Sequence, residues 1–277
     1  MQWYRAKTIL IVFFVIINAA LLLYLTVDRV TNSRANGVVL ESTVELLKKN
    51  GISVDYELIK NASSPDKIKN VYAQNVIGNY SYFAENILGD DIASENKNSF
   101  KSPIGTVTFT ADRFEARAKD GKYLFESEKD IKNPQTFALQ YVKYLGFEAD
   151  RSMIRKTNSY SDGITTVIFN KKFNSKEVFD AVLAAELDEK GIKAIYGTWF
   201  NERKTTMAPT DLKGISGVLI EYMNMQRDAS KEIVIKNITL GYAVGDNDIY
   251  HESVMLTPVW KIEVEKGESV LIDAREN

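Results

Sequence analysis

The chain has 277 residues, of which 45% are hydrophobic, so it is long enough to fold into one or two packed domains. It carries 35 Lys and Arg against 37 Asp and Glu, and a formal net charge of -2 gives no electrostatic basis for binding nucleic acid. The absence of Cys excludes disulfides and thiolate chemistry, and a single His, His251, excludes a multi-histidine metal site. We therefore expect no cofactor and no metal.

An uncharged apolar segment, Thr8 to Val27, is the first predicted element. As a helix its 20 residues would span about 30 Å, the thickness of the hydrocarbon core of a bilayer. Arg5 and Lys7 precede it, which favours a cytoplasmic N-terminus and an extracellular C-terminal domain. The alternative is a cleaved signal peptide, whose apolar core is shorter, about 7–15 residues. We predict a single-pass cell-membrane protein with a cytoplasmic tail at 1–7, a transmembrane helix at 8–27 and a linker at 28–37.

Aromatic residues near the ends of this segment are the expected interfacial anchors, namely Trp3, Tyr4 and Tyr24. Asn18 is the one strongly polar side chain within the segment, and its amide can hydrogen-bond to another helix in lipid. The neighbouring Ala19 and Ala20 permit close approach, so these three residues are candidates for a helix–helix contact. The alternative is that Asn18 is simply tolerated there.

Apolar spacing and turn residues then predict the elements of the N-terminal half. Helices are expected at 38–50, 80–88 and 134–145, with Gly51 as a C-terminal cap and Asn133 as an N-cap. Alternating residues predict strands at 52–59, 69–76, 106–110, 113–118 and 122–126. The polar stretch 90–101 is predicted to be a loop.

The C-terminal half repeats this order of helix and antiparallel strands. Strands are expected at 164–173, 178–187, 192–200, 232–244, 256–265 and 269–273, with a helix at 209–223. Glycine closes comparable hairpin turns at 119–121, 189–191 and 265–267. We predict an α+β ectodomain of repeated helix-plus-antiparallel-sheet units, with an N-terminal part at 38–203 (units at 38–126 and 134–203) and a C-terminal unit at 209–277.

The sequence offers little that supports catalysis. It contains no nucleophile elbow and no phosphate-binding loop, and Asp90 with Asp91 is the best candidate for a pair of hydrolytic carboxylates. Four aromatic residues in or beside predicted strands could line a ligand groove, although core packing is the favoured interpretation: Trp199, Phe200, Tyr242 and Trp260. We predict no catalytic residues and no enzymatic activity.

Short motifs spread over the whole chain resemble the YycI (WalI) family of regulatory proteins. They comprise Trp3, Lys7-Thr8, Phe14, Ile17-Asn18, Leu21 to Tyr24, Leu46 to Ile52, Leu256 to Ile262 and Asp273-Ala274. The resemblance implies one membrane helix and an extracytoplasmic domain related to the C-terminal domains of YycH. It also implies action, together with YycH, on the sensor histidine kinase YycG (WalK), which governs cell-wall metabolism in low-GC Gram-positive bacteria.

Three functions remain open from the sequence. The leading hypothesis is a membrane-anchored modulator of a YycG-like two-component kinase, with that kinase, a YycH-like protein and the membrane as partners. The second is an anchored binding module that senses a cell-wall fragment or a peptide. The third is an anchored hydrolase that uses carboxylates.

Overall fold

The computed structural model describes residues 37–62, 68–69, 71–75, 79–110, 113–160, 162–203, 209–226, 232–244 and 253–276, together with Phe14, Ile17 and Asn18. Within these residues the chain forms two compact units. Unit 1 comprises Met1–Pro65, Gly214–Ile238 and Ile262–Val270, and unit 2 comprises Asp66–Lys213, Thr239–Lys261 and Leu271–Asn277. Each unit thus combines segments that are distant in sequence, and the predicted division of the ectodomain into consecutive units stays a prediction.

The described helices are α1 (37–49), α2 (Tyr56–Ala62), α3 (Tyr80–Leu88), α4 (Pro134–Tyr144) and α5 (Ile215–Met225). The described strands are β1 (Ile52–Val54), β2 (Ile68–Lys69), β3 (Val71–Asn75), β4 (Ala93–Asn96), β5 (Ser99–Lys101), β6 (Gly105–Phe109), β7 (Phe114–Ala118), β8 (Phe125–Glu126), β9 (Ile154–Ser159), β10 (Thr165–Phe173), β11 (Lys176–Leu187), β12 (Gly191–Gly197), β13 (Phe200–Glu202), β14 (Pro209–Thr210), β15 (Ile233–Val244), β16 (Ser253–Val264) and β17 (Val270–Asp273). The predicted α+β class is confirmed for these residues.

Unit 1 is built mainly from helices. The apolar residues of α5 recur at helical spacing and are buried, namely Ile215, Val218, Leu219 and Tyr222. Helix α5 packs against α2, and β1 pairs in parallel with residues 233–235 of β15. Leu40 and Leu47 are buried on the inner side of α1. The helix is followed by Gly51, which has a φ of 75°. Only glycine adopts this left-handed conformation at little cost, so Gly51 ends the helix as predicted.

Unit 2 contains a large, mainly antiparallel sheet. Its hydrogen-bonded strand order is β13-β3-β16-β15-β11-β12-β7-β6-β5-β4, with β10 paired to β11 and β9 paired to β10. The β10–β11 hairpin turns at Asn174 and Ser175, both of which have positive φ, as a tight two-residue hairpin requires. The sheet and the helices packed on it hold the polar and aromatic side chains of unit 2.

Helices α3 and α4 cover one face of this sheet and form an aromatic core with it. Phe83 of α3 lies edge-on to Phe114 of β7, with ring centroids 4.8 Å apart. Phe114 in turn stacks on Phe147, at 6.0 Å, and Phe147 meets Trp199 edge-on at 6.2 Å. Such aromatic pairs add specific geometry to the burial of apolar area. The sheet therefore has an inner face, under the helices, and an opposite outer face.

Local sequence signals account for the ends of these helices. The side chains of Asn79 and Asn133 accept hydrogen bonds from the backbone N–H groups of Tyr82 and Thr136, which caps the first turns of α3 and α4. Pro134 occupies the first turn of α4, where no N–H is required. The predicted bounds of α3 are confirmed, and those of α4 are confirmed to within one residue.

Several predicted elements were wrong. Residues 52–59 form β1 followed by α2, because Asp55 accepts a hydrogen bond from the N–H of Glu57 and starts a helix. The predicted loop at 90–101 contains the exposed β4–β5 hairpin, whose polar residues lack the apolar alternation of a half-buried strand. Helix α5 begins after Gly214, later than predicted, and β9 was missed. No helix among the described residues is long and apolar enough to cross a membrane.

Candidate functional site

Most residues predicted for the membrane segment lie outside the described residues, namely Trp3, Tyr4, Ala19, Ala20 and Tyr24. Asn18 is described and exposed, and its side-chain Nδ2 donates a hydrogen bond to the backbone oxygen of Phe14 at 2.8 Å. This bond uses one of the two amide N–H groups. The proposed helix–helix contact stays a prediction.

The four aromatic groove candidates are all buried. Trp199, Phe200, Tyr242 and Trp260 expose 2% or less of their surface. Tyr242 lies edge-on to Phe173, with ring centroids 6.4 Å apart, and burial followed by the nearby Glu202 charge raises the pKa of Tyr242 to about 12. All four residues lie within the packed interior. A ligand role for them stays a prediction.

The carboxylate pair considered for hydrolysis lies at the surface. Asp90 and Asp91 follow Gly89 after α3, and both are exposed. Among the described residues no group of three or more His, Asp or Glu side chains is arranged to hold a metal ion.

A buried ammonium forms the centre of the polar cluster in unit 2. Lys171 of β10 exposes 2% of its surface and is the only charged residue among those described that is buried. Its Nζ donates to the backbone oxygen of Glu148 at 2.9 Å and lies 3.6 Å from Oε2 of the same residue. The ammonium also lies over the rings of Phe173, 4.7 Å from the centroid, and Trp199, 5.3 Å away.

The cluster ties two segments to each other. Asn201 accepts a hydrogen bond from the N–H of Glu148 at 2.9 Å and donates one to the oxygen of Gly146 at 2.8 Å. The N–H of Glu202 donates to Oε2 of Glu148 at 2.8 Å. Residues 146–148 and 201–202 are thereby fixed over Lys171, and we call these residues together with Lys171 the Lys171 cluster.

Burial lowers the pKa of Lys171, and Glu148 opposes this effect because its carboxylate favours the charged ammonium. The Lys171 ammonium contacts protein oxygens and two aromatic rings, so the cluster holds residues 146–148 and 201–202 against β10. Sequence reasoning missed it, although Asn170, Lys171 and Lys172 are three consecutive polar residues within a predicted strand. Because strand side chains alternate between faces, such a run must direct at least one polar side chain inward.

The outer face of the sheet carries a polar network of its own. Arg117 of β7 contacts Glu115 on its own strand and reaches Oε2 of Glu186 on β11 at 3.3 Å. The hydroxyl of Tyr196 donates to Oε1 of Glu186 at 3.0 Å, and burial together with this carboxylate raises the pKa of Tyr196 to about 12. The Arg117 guanidinium lies 5.8 Å from the Tyr196 ring centroid. The network links β7, β11 and β12 across one face.

A half-exposed aromatic cluster lies where α4 meets β8. Phe125 stands among Phe137, Tyr141 and Tyr144, with ring centroids 5.2–5.6 Å from its own. Tyr144 is 67% exposed, whereas Tyr141 is buried, and the hydroxyl of Tyr141 has no hydrogen-bond partner among the described residues. Burial raises the pKa of Tyr141 well above its usual value. We call these four residues the Phe125 cluster.

No protein-family model and no curated protein matches the chain. Among solved structures, an uncharacterized protein from Eubacterium rectale ATCC 33656 is similar over 77% of this chain and 83% of its own, at 14% identity and a TM-score of 0.46. YycH from Bacillus subtilis is similar over 73% of this chain and 52% of its own, so the likeness spans about half of YycH, at 13% identity and a TM-score of 0.42. The C-terminal domain of Bacillus megaterium YpeB is similar over 66% of this chain and 83% of its own, at 12% identity and a TM-score of 0.28. Similarities of this size do not assign a function.

Proposed function

We propose that this protein is a membrane-anchored extracytoplasmic regulator that modulates a YycG-like sensor histidine kinase together with a YycH-like protein, and so affects cell-wall metabolism. The observation that carries the proposal is the ordered set of motifs that resembles the YycI family, from Trp3 to Ala274. The proposal includes a non-enzymatic mode of action, a cytoplasmic N-terminus, and repeated ectodomain units related to the C-terminal domains of YycH.

The closing motif of this resemblance lies in the core of the ectodomain. In β16, Leu256, Trp260 and Ile262 are buried. Hydrophobic motifs of this kind specify packing, so a resemblance that rests on them concerns the fold of the ectodomain first.

Helix α1 supplies a surface suited to this role. It begins ten residues after the apolar segment ends, and it exposes Val38 by 64%, Val39 by 53% and Leu46 by 39%. Apolar side chains exposed on one helix so close to a predicted membrane span are suited to contacts with a partner anchored beside it. Such contacts would couple the ectodomain to its partner outside the membrane.

The test uses full-length protein with a YycG-like kinase and a YycH-like protein in liposomes. We expect the full chain to co-purify with its partners and to change the rate of kinase autophosphorylation. Asn18→Leu should weaken co-purification several-fold, because a side-chain hydrogen bond between membrane helices contributes roughly 0.6 to 2 kcal/mol. A chain whose apolar segment is randomised with apolar residues serves as the control for simple tethering.

Two outcomes separate the parts of the proposal. If the randomised segment supports normal association and kinase output, the membrane helix is a tether and the ectodomain carries the regulation. If the wild-type chain neither associates with the kinase nor changes its output, with or without the YycH-like protein, the proposed function is wrong.

A second candidate function is a binding module for a cell-wall fragment, and the Phe125 cluster is the observation that favours it. The exposed ring of Tyr144, which packs against Phe125, matches the apolar face of a ligand such as a sugar ring. Soluble peptidoglycan fragments should then perturb the amide resonances around Tyr144 of the full chain in detergent, and Tyr144→Ala should abolish the effect. An unchanged spectrum at millimolar fragment would exclude this candidate.

A further inference from the structure

Strand β9, Ile154 to Ser159, is an edge of the sheet in unit 2. It pairs with β10 along one side, and among the described strands it has no partner on the other. Its beginning is anchored, because Met153 and Ile154 pack against the aromatic core. Its middle is held by Gln135 of α4, whose Nε2 donates to Oγ1 of Thr157 at 2.9 Å. The strand is therefore fixed in place, and no described strand pairs with one row of its backbone groups.

The register of this strand leaves a regular stretch for pairing. Lys156 to Ser159 stand opposite Ile168 to Thr165 without interruption. The register shifts between Ile168 and Phe169, so Arg155 is the additional residue of a bulge, and it is exposed. Beyond the strand, Tyr160 exposes 55% of its surface. We call residues 155–160 the β9 edge.

The charge of this segment is uniform. Residues 151–160 contain three basic residues, Arg151, Arg155 and Lys156, and no acidic residue. Within the part of the chain that the structure describes, neither Arg155 nor Lys156 forms an ion pair. Among the described residues, the two cations thus lie beside a row of unpaired backbone groups, and no acidic side chain compensates their charge.

Basic residues and a bulge on an edge strand discourage indiscriminate pairing. Two copies of the same edge paired in parallel would place like cations side by side on strands roughly 5 Å apart, where they repel. An uncharged strand would gain backbone hydrogen bonds only, whereas an acidic strand would also compensate Arg155 and Lys156. The combination therefore selects for an extended segment of acidic character.

We infer that the β9 edge is a docking site for an extended acidic segment of another protein, which adds to the sheet as a strand beside Lys156 to Ser159. Backbone hydrogen bonds provide the affinity of such strand addition, and side chains on alternate positions provide its selectivity. Acidic side chains of the segment lie near Arg155 and Lys156, and an apolar residue packs on Tyr160. The inference does not depend on the identity of the kinase or on the proposed regulatory role.

The test measures binding of synthetic octapeptides to the full-length chain in detergent. One peptide alternates Glu with Val, with blocked termini, and its matched control has Lys in place of Glu. We expect the acidic peptide to bind, to slow amide hydrogen exchange within residues 156–159, and to bind more weakly as salt is raised. The basic peptide should not bind. Equal binding of both peptides, or protection confined to another strand, would overturn the inference.

Backbone pairing is tested separately from charge. N-methylation of alternate residues in the acidic peptide removes the N–H groups on one of its edges, so one methylated register should lose binding and the other should retain it. Retention in both registers would show that charge alone is responsible and would contradict strand addition.

Charge reversal provides the matched protein variants. The double variant R155E/K156E should bind the acidic peptide about tenfold more weakly and accept the basic one, as expected for the loss of two exposed charge pairs. The control K119E/K122E makes the same change of charge in the exposed turn after β7 and should bind like the wild type. Thermal unfolding of both variants checks that each is folded, and equal weakening by both would overturn the assignment to β9.

Discussion

The two faces of strand β7 show how differently neighbouring residues contribute to this protein. Phe114 and Ala116 point into the core under α3 and α4 and are almost completely buried. Glu115 and Arg117 point outward and form the network with Glu186 and Tyr196. The strand reads Phe-Glu-Ala-Arg-Ala, so the alternation of the sequence becomes a separation of roles.

The inner face of β7 contributes mainly stability, and its outer face contributes surface contacts. Burying a large aromatic side chain in a close-packed core stabilises the folded state by several kcal/mol, whereas an exposed ion pair contributes about 0–1 kcal/mol. The side chain of Arg117 is 52% exposed, so its contacts are weakened by solvent. We expect the inner face to determine whether the domain folds and the outer face to tolerate change.

The sharpest test of the comparison replaces neighbouring residues of β7. Phe114→Ala should lower the free energy of unfolding by about 3–5 kcal/mol, because it removes buried contacts with Phe83 and Phe147 and leaves a cavity. Glu115→Ala, one residue away, should cost less than about 1 kcal/mol. Urea denaturation of the two variants measures both values, and comparable losses would contradict the separation of the two faces.

The second test concerns the backbone of strand β12, whose side chains point to both faces of the sheet. Gly197 ends β12 with φ of 141°, and a Cβ there would press against the backbone oxygen of Val182. Gly197→Ala should therefore cost about 2–3 kcal/mol, since backbone strain and a clash with backbone combine. Gly121 also has positive φ, at 74°, but has open space around it, so Gly121→Ala should cost only about 1 kcal/mol. Equal melting temperatures of the two variants would show that the close contact is relieved without cost.

Substitutions of Lys171 test whether its buried charge contributes to stability, or only its packing volume. Lys171→Met keeps most of the buried volume and removes the ammonium, so we expect the free energy of unfolding to stay within about 1 kcal/mol of wild type. Lys171→Ala also removes the packing against Phe173 and Trp199 and should cost about 2–4 kcal/mol. A large loss in the Met variant as well would show that the charge itself, through Glu148, holds residues 146–148 in place.

The smallest expected effect concerns the outer network at alkaline pH. The pKa of Tyr196 is raised to about 12, so the folded state keeps this proton above the pH where the unfolded chain releases it, about 10. This contribution to stability is fully present below pH 10 and is lost as the pH rises from about 10 to 12. Tyr196→Phe should reduce the fall in melting temperature over that interval.

Glu186→Gln provides the companion measurement, because the carboxylate of Glu186 is one of the causes of the raised pKa of Tyr196. From about pH 10 to 12, the fall in melting temperature of Glu186→Gln should lie between the falls measured for the wild type and for Tyr196→Phe. If the melting temperature of Tyr196→Phe changes with pH just as that of the wild type does, Tyr196 does not contribute to the alkaline loss of stability.

Sequence reasoning succeeded where local signals and burial agree. Asn133 followed by Pro134 specifies the start of α4 by capping, and the alternation of β6 and β7 matches one buried and one exposed face. It failed for β9, whose residues are mostly polar because an edge strand at the surface needs no apolar alternation. It also failed for α2, where a helix of only seven residues is stabilised by its packing against α5.

The candidate sites were less predictable than the elements. Lys171 and Glu148 are 23 residues apart, and Arg117 is 69 residues from Glu186, so no local pattern connects them. The aromatic groove candidates singled out from the sequence are buried, whereas Tyr144 of the Phe125 cluster and Tyr160 of the β9 edge are exposed. Exposure depends on which element covers a side chain, and composition does not report this.

The α+β class, the absence of thiol chemistry, and the helix ends at glycine and asparagine follow from composition, side-chain periodicity and local backbone geometry, so the sequence is sufficient to predict them. By contrast, tertiary contacts make β9 an edge among the described strands, enclose Lys171, and bring Arg117 to Glu186 across the sheet. Strand pairing and burial join residues far apart in the chain, so the environment of each side chain is set by partners that its own neighbours in sequence do not specify.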